Sequence, residues 1–153
     1  MKEKSVIFSD DEFKTKLIPL IEEGLTVPLT VKGGSMSPFL ESGRDTVMIS
    51  KPSDQIKKGD VLFYERSGGQ LVMHRVCKVR RDGYYFAGDA QTVIEGPIVR
   101  EQIFGAVNKV IRKGKTVERG SFVWFFFRHV WVNMIPIRRL CVKLAGKLKR
   151  KKK

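Results

Sequence analysis

The chain has 153 residues, of which 42% are apolar, enough for one hydrophobic core of about 120 residues plus an appendage. Its 30 Lys and Arg exceed its 16 Asp and Glu, but nine of the basic residues lie between Arg138 and Lys153 with no acid among them, so the body before them is only mildly basic, with 21 against 16. Cys77 and Cys141 stand apart, outside any CxxC or Cys/His cluster, which excludes a recognisable zinc site and a disulfide framework; no metal or other cofactor is called for.

Met1-Lys2-Glu3-Lys4-Ser5 opens a charged segment with no apolar run of secretory length, so no cleavable export signal is expected. Ser9-Asp10-Asp11-Glu12 has the S-x-x-E spacing of a capping box, and Phe13, Leu17 and Leu20/Ile21 then recur at helical spacing up to Gly24. This predicts a short amphipathic helix within residues 1–24, bent or ended early by Pro19.

Residues 25–118 read as a β domain. Alternating Val27, Leu29 and Val31 predict a first strand over 25–31, running into Gly33-Gly34-Ser35-Met36-Ser37-Pro38-Phe39-Leu40. Two glycines let backbone approach a ligand and Pro38 fixes φ just beyond, so Ser35 should stand on a reversal where its hydroxyl and its own N–H could meet one carbonyl; a Gly-Ser-Pro loop without chemistry fits the same residues. Further strands are predicted over 46–50, 61–64, 71–79, 84–87 and 104–111. The turns between them are Ser42-Gly43, Lys58-Gly59-Asp60, Ser67-Gly68-Gly69 and Asp82-Gly83. Short strands without long intervening helices predict a mainly antiparallel barrel or coiled sheet.

Residues 119–153 change character. Phe122–Ile137 is apolar and aromatic but interrupted by Arg128, His129, Asn133 and Pro136, and a central arginine costs about 2.5–3.5 kcal/mol on insertion scales, so spanning a bilayer is disfavoured. Beyond it, Leu140, Leu144 and Leu148 repeat every four residues beside Arg139, Lys143 and Lys147, the pattern of a helix lying on an anionic membrane. A helix packed on the body with a solvated lysine tail is the plainer alternative. Nucleic acid is disfavoured as a partner because no base-reading module accompanies the charge.

Of two histidines, His129 belongs to the aromatic segment and His74 to the strand Leu71-Val72-Met73-His74-Arg75-Val76. Gly88-Asp89 follows at the end of another strand, and Glu95 six residues after Asp89. A serine, a base and a carboxylate to orient the base make a nucleophilic triad if the fold gathers them.

Gly33-x-Ser35-Met36-x-Pro38, then Gly59-Asp60 at a strand start, His74-Arg75-Val76, and Gly88-Asp89 with an acid six residues on, resembles the type I signal peptidases, in particular the endoplasmic-reticulum and archaeal branch that uses histidine as base. The resemblance spans about Leu25 to Val110. It implies a signal-peptidase-like coiled β-sheet with Ser35 as nucleophile, His74 as general base and Asp89 in the Gly-Asp box, and a peptide or precursor protein as substrate. Glu95 stands where that branch has a second aspartate; either acid could orient His74, with Asp89 favoured. Gly33, Gly34, Met36 and Pro38 would line the substrate. Gly33 replaces a serine that many members use as an oxyanion donor, which throws that task onto backbone N–H groups. The family's N-terminal membrane helix has no counterpart in these residues, so attachment through residues 119–153 to the anionic cytoplasmic face is expected instead. Two other readings stay open: a self-cleaving repressor-type peptidase, and a catalytically silent peptide-binding or membrane-adaptor domain.

Overall fold

The computed structural model describes residues 10–152. Ser9 lies outside them, and with it the expected capping box. The N-terminal helix runs over residues 10–22 and buries Phe13, Leu17 and Ile21, while Leu20 stays exposed. Pro19 does not end it. The turn Phe13–Leu17 just before is π-helical, and a wider turn relieves the clash between a proline ring and the carbonyl four residues back.

Eight antiparallel strands follow: β1 (Val27–Thr30), β2 (Asp45–Ser50), β3 (Val61–Glu65), β4 (Leu71–Arg80), β5 (Gly83–Ala87), β6 (Glu95–Ile98), β7 (Ile103–Arg112) and β8 (Lys115–Glu118). They form one open sheet in the order β1-β2-β7-β3-β4-β5-β6. β8 pairs with Lys109–Arg112 of β7, past the point where β3 has left it. The sheet is not closed into a barrel, since β1 and β6 end the order unpaired with each other. Six strands fall where alternation predicts them; β6 and β8 do not come from that pattern. Glu95-Gly96-Pro97-Ile98 and Lys115-Thr116-Val117-Glu118 are short edge strands whose composition lacks the apolar alternation.

Two large apolar clusters and a small third one, of Cys77, Ala87 and Val132, fill the interior. The larger joins the N-terminal helix to Val47, Ile49, Val61, Phe63, Val107 and Val110, and also takes in Met36, Phe39 and Leu40 of the serine turn. The second gathers Leu62, Tyr64, Val72, Val76, Phe86 and Ile103.

Residues 119–137, separated from the body in the sequence reading, contribute directly to the larger cluster. The helix Phe122–His129 begins at Ser121, whose hydroxyl accepts from the Trp124 N–H. Trp124, Phe127 and Trp131, spaced three and four apart, form one buried stripe, and Trp124 and Phe127 pack on the Phe39 ring. Arg128, the charge that interrupts the apolar run, pairs with Asp60. This stretch is thus part of the domain rather than an appendage: its aromatic surface is covered by the serine turn, a partner that composition could not reveal. Past it, Arg138–Lys151 forms a helix that is mostly exposed. Among the described residues, no helix is long and apolar enough to cross a membrane.

Candidate active site

Ser35 sits half-buried in the turn after β1. Gly33 has φ +73°, a region glycine enters without strain, and the Gly34 carbonyl accepts from the Ser37 N–H at 3.2 Å. Just downstream, the Leu40 N–H donates to Met36 O at 2.8 Å. From the other side the turn is held by residues 88–91. The Ala90 N–H donates to Ser35 O at 2.9 Å, and a Cβ on Gly88 would lie only 2.5 Å from that same oxygen, so the close approach requires glycine. The Ser35 N–H has no hydrogen-bond partner among the described residues.

His74 is buried on β4 directly opposite Leu62 of β3. Tyr64 lies two residues along β3 on the same face, and its hydroxyl is 3.2 Å from His74 Nδ1. That hydroxyl also donates to Glu95 Oε1, while Glu95 Oε1 is 3.5 Å from His74 Nδ1. Arg66 grips the carboxylate at both oxygens, each at 2.9 Å. A tyrosine hydroxyl has one proton; with that O–H donating to Glu95, its oxygen accepts from the imidazole. The network therefore assigns the hydrogen of His74 to Nδ1 and leaves Nε2 as the basic nitrogen.

The electrostatics agree with this assignment. Burial lowers the pKa of His74 below its usual 6.5, against the opposing pull of Glu95, so the ring is neutral at neutral pH. Glu95 is held below the ordinary glutamate value: its burial acts upward, but the bonds from Arg66 and Tyr64 outweigh it. Tyr64 is pushed far up by burial and by the adjacent carboxylate, and keeps its proton.

Ser35 and His74 line one cavity of about 390 Å³. Its walls include Phe13, Leu29, Met36 and Met73, and Lys32, Arg66 and Gln91 also border it. No hydrogen bond joins Ser35 to His74. Of the four residues expected to meet substrate, Gly33 and Met36 line the cavity, whereas Gly34 and the exposed Pro38 only shape the turn. Met36 is also a core residue, so it forms a fixed wall.

Asp89, favoured in the sequence reading as the partner of His74, is committed elsewhere. Its two oxygens take Arg75 Nε at 2.8 Å and Nη2 at 2.7 Å, both side chains being almost fully buried. Arg75 also donates to Gly59 O at 2.8 Å and stacks on Phe39. Successive residues of a strand point to opposite faces, so His74 meets Glu95 and Arg75 meets Asp89. Glu95 is the carboxylate that reaches the imidazole, directly and through Tyr64.

Tyr64 and Arg66 were not among the residues picked from sequence. Tyr64 reads as one more apolar strand position, and only the β3–β4 register brings it beside His74. Among the described residues, no group of three His, Cys, Asp or Glu could hold a metal ion. No protein-family model, curated protein or solved structure significantly matches the chain.

Proposed function

We propose that this chain is a serine endopeptidase of signal-peptidase-like fold, with Ser35 as nucleophile and His74 as general base. The observation that carries the reading is a single cavity holding both side chains, with the far nitrogen of the imidazole already engaged by Tyr64 and Glu95. His74 Nε2 takes the Ser35 Oγ proton as Oγ attacks a peptide carbonyl carbon. The imidazolium then gives that proton to the leaving amine as the C–N bond breaks. Water completes the cycle: Nε2 accepts its proton, the hydroxide oxygen displaces Ser35 from the acyl group, and Oγ recovers a proton from the ring. Glu95, kept ionised by Arg66, steadies the imidazolium through Tyr64, and the unengaged Ser35 N–H is available to the oxyanion.

An extended peptide suits the surroundings. β1 pairs only with β2, and residues 72–74 of β4 have strand pairing from β3 alone among the described residues, because β5 joins the other side from Arg75 onward. Backbone added along these edges would bring a scissile bond to Ser35, with apolar side chains entering toward Leu29, Met36 and Met73. The silent peptide-binding alternative draws on the missing Ser35–His74 hydrogen bond, although such bonds are often long before substrate arrives.

A fluorophosphonate probe distinguishes the two. Wild type should be labelled at Ser35, Ser35→Ala not at all, and His74→Ala on the order of 100-fold more slowly. Equal labelling of all three proteins, or none, leaves a binding domain.

A further inference from the structure

The helix Arg138–Lys151 is fastened to the body along one side. Arg138 is buried, and its guanidinium donates to Gly88 O at 2.9 Å, Gln91 O at 3.2 Å and Trp131 O at 3.0 Å. Cys141 packs against the larger core, and Lys149 lies 3.9 Å from Glu41. At 3.6 residues per turn these three positions share a face.

Leu140, Leu144 and Leu148 fall on a different face and are 59%, 52% and 65% exposed. Arg139, Lys143 and Lys147 run beside them. A 14-residue helix is marginal in water by itself, and a solvated face would carry polar residues in place of a leucine ridge. Whatever covers the ridge must be apolar at its centre and negative at its rim, since this helix holds seven Lys and Arg and no acid. A second copy of the same face would set like charges against each other. Nucleic acid would meet the charges and leave the leucines in water. The preceding segment adds Phe122, 81% exposed, and Phe125, 55% exposed, one turn apart, aromatic side chains of the kind that settle at a bilayer interface.

We propose that Arg138–Lys151 is an in-plane anchor for a bilayer rich in anionic lipid, its leucines at the acyl boundary and its basic side chains among the headgroups. The inference does not depend on the peptidase reading. Because Arg138 also binds the carbonyls of Gly88 and Gln91, the turn that holds Ser35 lies next to the anchoring helix.

Sedimentation of the full chain with phosphatidylcholine vesicles, with and without about one third phosphatidylglycerol, tests this. Binding should be at least about ten-fold tighter to the anionic vesicles and should weaken with added salt. It should fall on the order of ten-fold or more in Lys143→Glu/Lys147→Glu and in Leu140→Glu/Leu144→Glu/Leu148→Glu. A Leu144→Trp reporter, which keeps the helix apolar, should show blue-shifted emission on anionic vesicles. Failure to bind those vesicles, an unshifted reporter, or binding indifferent to the leucine changes would overturn the anchor. So would equal affinity for duplex DNA that the leucine changes leave intact.

Discussion

At His74 the position of one proton follows from the hydroxyl standing between the ring and Glu95. Replacing Tyr64 by Phe leaves the Nδ1–H with only the 3.5 Å approach to Glu95, and an unsatisfied buried donor costs about 1–3 kcal/mol. Nitrogen NMR should find wild-type His74 protonated at Nδ1 and Tyr64→Phe a mixture of tautomers. Labelling of Ser35 should slow about 5–150-fold, the same cost expressed as a rate. An Nε2-protonated ring in wild type would contradict the assignment. That Ser35 and His74 border one cavity, with Glu95 beside the imidazole, agrees with grouping them from the Gly-x-Ser-Met-x-Pro, His-Arg-Val and Gly-Asp motifs. Tyr64 was not legible in the sequence, because its role exists only across the β3–β4 register, and the preference for Asp89 failed because sequence cannot say which face of a strand a downstream turn will meet.

On the scale of elements, residues 88–91 act as a clasp. Gly88 and Ala90 abut the Ser35 carbonyl, Asp89 O accepts from Trp131 Nε1 at 2.9 Å, and the Asp89 carboxylate joins Arg75. Removing one member of a buried ion pair strands the other, at about 3–5 kcal/mol. Asp89→Ala should therefore lower unfolding free energy in urea by that amount, and the apolar double change Arg75→Met/Asp89→Leu should recover most of it. An unchanged urea midpoint in Asp89→Ala would refute this structural role. The strands themselves were readable from alternation and Gly-containing turns. The burial of Trp124, Phe127 and Trp131 was not, since an aromatic run looks the same whether lipid or Phe39 is to cover it.

For the whole molecule, charge is spatially sorted: a mildly basic body holds the cavity, and the strongly basic helix Arg138–Lys151 adjoins it along the side that carries the buried Arg138 together with Cys141 and Lys149. The open sheet supplies the cavity at a free edge, and the C-terminal aromatic segment braces the turn behind the serine. Short strands separated by Gly-containing turns, with no long helix between them, made the antiparallel sheet predictable; they carry no sign that its core draws in residues beyond 118.

The most direct test is the rate of Ser35 modification by a fluorophosphonate as a function of pH. The base must be neutral, and burial sets its pKa below 6.5, so the midpoint of the fall in rate on acidification should lie below pH 6.5, with the fall abolished in His74→Ala. A wild-type rate that is flat to pH 4.5, or a profile identical in His74→Ala, would show that the imidazole does not activate Ser35.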